Sequence, residues 1–366
     1  MARVVSPSYH LLPPWTWPWW RPAPGQYMTL VWVLLIHVTA VVGLILYPLP
    51  GWPLFLTAGA LTWLGGLGTT VCYHRALAHR ALRLHPIVRE LLIFLALFNG
   101  SGAPLSWTAN HRLHHAKADT PEDISSPRIG GFWWAHLRWL WQAEQASPAR
   151  YCPDLTGASY RVWRVLQLPL LTLSFFSGLA WGTAAFFWLG AIRLVFALHG
   201  QCFVNSVSHL RPGTQIGEDS SRNVPWLALW HSLQGENWHH NHHARPGIAQ
   251  FGWGATQVDI GWWVIRRPEQ VGLATAVRRS RDCSFRAAEN GKDIGGVHPG
   301  AGGACAPHET SEQFVIDTET AAGEKRVLEQ TVHLPLTLSQ TLMSTGLSQS
   351  ERTIPKIEMF GCKNPY

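Results

Sequence analysis

Residues 28–47 contain no Lys, Arg, Asp or Glu. Twenty such residues, at 1.5 Å each in a helix, are enough to cross the ~30 Å hydrocarbon core of a bilayer. The link Pro48-Leu49-Pro50-Gly51-Trp52 is also uncharged, and residues 53–71 make a second span, so the two read as a helical hairpin. Residues 168–189 and 190–207 form another pair of spans, with a break expected near Gly190. Arg193 and His199 in the last span are costly in lipid and should face protein or a polar cavity. Residues 87–98 are apolar but too short to cross, which suits a buried or interfacial helix. The expected fold class is an all-α integral membrane protein with four transmembrane helices in two hairpins.

Composition agrees. Hydrophobic residues make up 47% of the chain and charged residues only 14%, low for a soluble protein. All 21 tryptophans lie between Trp15 and Trp263, and an amphipathic indole suits the membrane–water interface. The net charge of +7 divides into +10 for residues 1–279 and −3 beyond them. Basic residues such as Arg75, Arg80, Arg112 and Lys117 lie between 72 and 163, whereas the link at 48–52 has none. The positive-inside rule therefore places 72–163, and likewise 208–279, in the cytoplasm. Membrane topology and anionic headgroups account for this charge, so no nucleic-acid partner is expected.

Three regions follow. Residues 1–27, rich in Pro and Trp, read as an interfacial lead-in, 28–279 as the membrane domain, and 280–366 as a disordered tail of Gly, Ser, Thr and Glu. Pro13-Pro14-Trp15 stands where a cleavable signal would need a plain apolar run. Six cysteines without a C-x-x-C pair suit isolated thiols in a reducing compartment. His298-Pro299-Gly300 is faintly like a haem-binding loop of a b-type cytochrome, but no second axial histidine accompanies it, so no fused haem domain is expected.

Chemistry enters through histidine spacing. His-x-x-His-His occurs at His111, His114 and His115 and again at His239, His242 and His243. About 0.05 such matches are expected by chance in a chain of this length, so a repeat is not accidental. Positions i, i+3 and i+4 project from one edge of a helix, so each cluster can aim three imidazoles at one place. Neutral imidazole is a favoured ligand for iron, copper, zinc and nickel. His74 and His79 lie five residues apart, about 140° beyond one full turn, so one helix could offer each to a different metal. A fourth element is Asn205-Ser206-Val207-Ser208-His209. Nine histidines from four places are too many for one ion and suit two ions with four or five ligands each. All of them fall at or beyond span ends on one side, unlike the mid-bilayer ligands of a metal transporter, a distant alternative.

With these boxes in order, the chain resembles the membrane-bound fatty-acyl desaturases, specifically the Δ9-type acyl-CoA and acyl-lipid branch. The resemblance covers roughly residues 28–277. It rests on Tyr73-His74-Arg75 through His79, on Trp107 through Thr120, on Asn205 through His209, on Gly235 through Pro246, and on Gln257–Ile260 and Gly272–Thr275. It implies four membrane helices beneath a cytosolic helical cap, with a di-iron centre held by His74, His79, His111, His114, His115, His209, His239, His242 and His243, and by Asn205 through a water. It implies no catalytic residue apart from the metal site. Trp107 would line the tunnel for a fatty-acyl chain carried by CoA or a lipid, and the product would be a cis double bond, at Δ9. O2 would be co-substrate, with two electrons from a b-type cytochrome or ferredoxin and its reductase. The setting would be a bacterial inner membrane or the endoplasmic reticulum, in contact with membrane lipids.

The residue chemistry agrees, because an unactivated C–H bond offers no acid–base or nucleophilic handle and needs an oxygen-activating metal. A small residue about four turns before His74, such as Ala58, would wall the end of the tunnel. A related hydroxylase, ketolase or alkane monooxygenase would share the boxes, but the Asn205–His209 element and residues 257–275 favour desaturation. The chain departs from the family pattern at Asp123-Ile124-Ser125, usually Asp-Pro-His, at Asn237, usually Gly, at His240, usually Asn, and at Arg245, usually aromatic. None of these removes an expected ligand, and His240 is expected beside the site or in solvent. His37 is expected to bond a neighbouring helix. His85, His136, His199 and His231 are candidates to surround the site.

Overall fold

The computed structural model describes residues 12–231 and 233–279, together with strands at 314–319 and 325–330. Among the described residues four helices are long and apolar enough to cross a membrane: α1 (Tyr27–Leu46), α2 (Trp52–Ala78), α5 (Ala158–Trp181) and α6 (Thr183–Ser208). Between α2 and α5 lie α3 (Pro86–Phe98) and α4 (Pro104–Lys117), and after α6 come α7 (His239–Ala244) and α8 (Ile260–Gln270). The chain is an all-α integral membrane protein. Strands β1 (Arg83–Leu84) and β2 (Ala274–Thr275) clip the start of α3 to the segment after α8.

α2 runs past residue 71, where hydropathy would end it, because its last part, Gly68–Ala78, is π-helical and fully packed. Val71, Cys72 and Tyr73 lie in the largest hydrophobic core, with Leu92, Ile93, Ala96 and Leu97 of α3. A Cβ on Gly68 would sit 2.3 Å from the Leu92 carbonyl oxygen, so only glycine allows α3 this close. The outer face of α3 leaves Ile87 and Leu91 exposed, which fits the apolar, non-spanning helix expected there.

The third and fourth spans differ from the expected 168–189 and 190–207. α5 begins at Ala158 because Arg161 and Arg164, which depress local hydropathy, are exposed near its first turns, where long cationic side chains reach out of an apolar layer. The chain reverses at Gly178–Gly182, and Gly182 takes φ +101°, open to glycine. Gly190 instead lies inside α6, where a Cβ would meet the Phe175 carbonyl oxygen at 2.2 Å. It marks close helix approach, not a break.

Arg193 of α6 is 2% exposed and faces protein: it donates to the Leu189 carbonyl (2.8 Å), to Asn99 Oδ1 (3.1 Å) and to Ser174 Oγ. A second core, Ile36, Ala40, Phe175, Ala191 and Leu194, joins α1, α5 and α6. The lead-in is pinned where Arg138 and Gln142 donate to the carbonyls of Trp17, Pro18 and Arg21. The expected disordered tail lies outside the described residues, except that β3 (Phe314–Glu319) and β4 (Lys325–Gln330) pair antiparallel.

Candidate metal centre

The ends of α2 and α6 converge with α4 and α7, and nine imidazoles meet there in two groups. One contains His74, His79, His111, His115 and His242, the other His114, His209, His239 and His243, with ligand-competent atoms within 4.8 Å of one another in each. In the first group His74 Nε2 and His242 Nε2 are 3.0 Å apart, His79 and His111 Nε2 2.8 Å, and His242 and His115 Nε2 3.0 Å. In the second, His114 Nε2 lies 3.1 Å from that of His209 and 3.4 Å from that of His243, and His209 Nε2 lies 2.9 Å from that of His239. Metal–imidazole bonds are ~2.0–2.1 Å. Two donors at right angles on one ion would thus stand ~3 Å apart, which is the spacing found.

The grouping differs from the sequence expectation in two ways. Each His-x-x-His-His does not aim at one place but divides. At 100° per residue, i and i+4 differ by only 40° whereas i+3 falls to the other side. His111 and His115 therefore enter one group and His114 the other, while His239 and His243 pair and His242 crosses over. His74 and His79 do not separate but share a group. The His79 amide donates to the His74 carbonyl at 3.1 Å, an i→i+5 bond that brings residues five apart to one side of a π-helical turn.

On four of the nine rings the opposite nitrogen is held by a carboxylate. His74 Nδ1 lies 2.8 Å from Glu236, His114 Nδ1 2.9 Å from Asp123, His209 Nδ1 3.2 Å from Asp119 and His243 Nδ1 3.3 Å from Asp219. A proton fixed on Nδ1 leaves the Nε2 lone pair turned toward the group centre, the arrangement that raises ligand basicity at metal sites. These carboxylates are themselves anchored: Asp119 accepts from Ser126 Oγ (2.6 Å) and from Ser220 N (2.8 Å), and Asp123 from the Asp119 and Ser125 amides. Glu236 accepts from Thr70 Oγ1, which also accepts from Arg75 at 2.8 Å, and Arg75 pairs with Asp259 at 2.9 Å. No role for the four carboxylates was read from sequence, although Glu236, Asp119 and Asp123 adjoin the boxes in a chain with few charges.

Electrostatics favour metal-competent rings. Burial first, then neighbouring imidazoles, push His79, His111, His115, His239, His242 and His243 well below the ordinary histidine range, so they are neutral near pH 7. Burial also opposes charge on His114, but Asp123 outweighs it and raises that ring. Burial works against ionised Glu236, yet His74 and Thr70 bring it down to about 2. Asp119 and Asp123 are likewise held below the ordinary carboxylate range against burial, by His209 and His114 respectively.

A cavity enters the bundle from this cluster, touching His74, His111 and His114 and bounded by Thr62, Gly66, Trp107, Leu198, Asn205 and Trp230. The Trp107 ring stacks on His111 with centroids 4.9 Å apart. Ala58 is buried against Ala185 and Leu189 and is not among the residues lining this cavity; Thr62, one turn on, is. His231 also lines it and bonds the Gly200 carbonyl at 2.8 Å. His240 is half-buried and bonds Ser221 Oγ at 3.1 Å, outside both groups. His85 caps α3 by accepting from the Ile87 amide.

With this geometry in place, comparison with known proteins is decisive. The fatty acid desaturase family profile matches residues 47–256. The chain belongs to the fatty acid desaturase family. Over 225 residues it is 36% identical to "Delta-9 acyl-lipid desaturase 2" of Arabidopsis thaliana, covering 59% of this chain and 71% of that one. Over 271 residues it is 31% identical to "Icosanoyl-CoA 5-desaturase" of Limnanthes douglasii, covering 71% and 73%. It is 30% identical over 229 residues to "sn-2 palmitoyl-lipid 9-desaturase" of a Nostoc strain, covering 59% and 79%. This desaturase is thus an oxidoreductase whose histidine groups are suited to metal.

Proposed function

We infer that the protein is an O2-dependent desaturase that inserts a cis double bond, at Δ9, into a saturated fatty-acyl chain linked to CoA or to a lipid. The observation that carries this reading is the cavity that enters the helix bundle from both histidine groups at once. His74, His79, His111, His115 and His242 would hold one iron, and His114, His209, His239 and His243 the other. Asn205 lies four residues before His209 on α6, hence on the same helix edge, and lines the cavity. A water on Asn205 would bring the second set to five. When bound, the two irons supply the redox chemistry with O2 that an unactivated C–H bond requires.

The chain's own residues do the rest. Glu236, Asp123, Asp119 and Asp219 orient the imidazoles through Nδ1. The cavity takes the acyl chain out of water at about 0.8 kcal/mol per CH2. Trp107, flat against His111, sets one wall beside the reacting carbons, and Thr62 lines the cavity from α2. Electrons would come from a b-type cytochrome or ferredoxin with its reductase. The basic segments flanking the spans support a cytosolic site, in a bacterial inner membrane or the endoplasmic reticulum. Expression in a host lacking monounsaturated fatty acids, followed by lipid profiling, tests the reading: a cis-monoene at carbon 9 is expected. Recovery of hydroxylated lipid alone would replace desaturase by hydroxylase.

A further inference from the structure

Away from the metal groups, three histidines from three elements form a continuous hydrogen-bonded chain. His37 of α1 bonds the Val33 carbonyl through Nδ1 (2.6 Å) and His199 Nε2 of α6 through Nε2 (3.1 Å). His199 Nδ1 bonds His136 Nε2 (2.8 Å), from the π-helical turn Trp134–Arg138, and His136 Nδ1 bonds Ser206 Oγ (2.8 Å). Ser206 Oγ also donates to the Cys202 carbonyl (2.9 Å). Both ends of the chain are backbone carbonyls, which only accept.

Proton counting then restricts its state. Five contacts need five protons, one in each. Three neutral imidazoles and one hydroxyl bring four. At rest one contact is therefore left unbridged, and one added proton completes the chain. A single metal ion does not explain the cluster, because His199 uses its two nitrogens on opposite sides, toward His37 and His136. Ionisable groups inside a membrane bundle mark proton routes more than packing.

We propose that His37, His199 and His136 form a one-proton store that passes its proton through Ser206 toward the cavity at the metal groups. The site of use is near. Ser206 adjoins Asn205, which lines the cavity, and lies three residues from His209, ~5–6 Å between Cβ atoms on a helix. The need follows from the reaction inferred above, on which the proposal rests. One acyl chain, one O2, two electrons and two protons yield one alkene and two waters. The acyl chain and the one-electron donor are oxidised, O2 is reduced, and both protons end in water. Those protons must reach a site shielded from solvent.

The surroundings suit a store that releases readily. Burial and then His199 and His37 push His136 down to about 4 on its own. Completing the fifth contact opposes that push, so the chain as a unit holds its proton more firmly than His136 alone. No carboxylate is paired with the three rings among the described residues. The cations of the packed elements are engaged elsewhere: Arg138 on Gln142 and Trp17, Arg128 on Thr214 and Arg193 on Asn99 and Ser174.

The test uses the metal-free full-length protein in lipid nanodiscs, with 15N-labelled histidine read by NMR between about pH 7 and 5. The three rings should shift together with uptake of one proton, and His199→Phe should abolish the shared step. Rings that stay neutral throughout, or that titrate independently, would overturn the proposal. This arm needs no turnover, so it stands or falls apart from the desaturase reading, which the lipid profile decides. Ser206→Ala, which leaves three contacts for three imidazole protons, should weaken the shared ring step, and in the metal-loaded enzyme it should lower kcat about 100-fold with KM unchanged and raise the solvent isotope effect. Ser206→Thr should restore both. Turnover and isotope effect unchanged in Ser206→Ala would remove Ser206 from the path.

Discussion

Replacing Glu236 by Gln isolates one carboxylate charge at the metal groups. Glu236 lies 2.8 Å from His74 Nδ1 and is fixed by Thr70, which Arg75 orients from the other side. Glutamine keeps the shape and a carbonyl acceptor for the Nδ1 proton, so the ring should stay in place while the negative charge is lost. Loss of such a partner lowers metal affinity about 10- to 100-fold, or ~1.4–2.7 kcal/mol. His74 belongs to only one group, so the loss should fall on one of two bound irons. Purified protein dialysed against graded chelator, with iron counted by elemental analysis, should release one equivalent early and retain the other. Asp123→Asn, acting through His114, should weaken the opposite equivalent. Equal weakening of both irons by Glu236→Gln, or of neither, would refute the claim that the groups bind separately and that Glu236 tunes one of them.

Other outcomes follow from the same contacts. His115→Ala should abolish desaturation while the protein still inserts in the membrane, measured by lipid profiling beside a membrane-extraction assay. Thr62→Trp should shorten the cavity and shift the product toward shorter acyl chains, read from the chain-length distribution of the monoenes. The metal-free protein should lose stability as pH falls. Six rings of the two groups have folded pKa values well below 6.5, so the unfolded chain binds more protons below that pH. Stability present above ~6.5 then drops by about 1.4 kcal/mol per pH unit for each ring that stays neutral in the fold. Thermal unfolding in detergent between about pH 7.5 and 5.5 measures this, and a flat profile would show the rings to be solvated.

Much of this was legible in the residues themselves. Uncharged runs announced α1 and α2, and the histidine spacing singled out all nine imidazoles that meet in the fold. What escaped was how they divide, because that depends on backbone geometry with no compositional mark. The π-helical end of α2 rotates His79 onto the side of His74, and an even α-helical spacing could not foretell it. The start of α5 was hidden by Arg161 and Arg164, which lower a hydropathy average though their side chains are exposed near its first turns. Ala58 was placed by counting turns from His74, a measure blind to the packing of Ala185 and Leu189 against it. The carboxylates behind the rings had no readable role, since an aspartate beside a helix is ordinarily just solvated.

His111, His114 and His115 on one helix, and His239, His242 and His243 on another, each contribute to both groups. A single turn of peptide backbone is therefore the spacer between the two groups, fixed twice over by separate helices. Neither group can shift along its helices without moving the other, although each keeps its own set of donors. The distance between the two groups is thus set by main chain rather than by any one side chain.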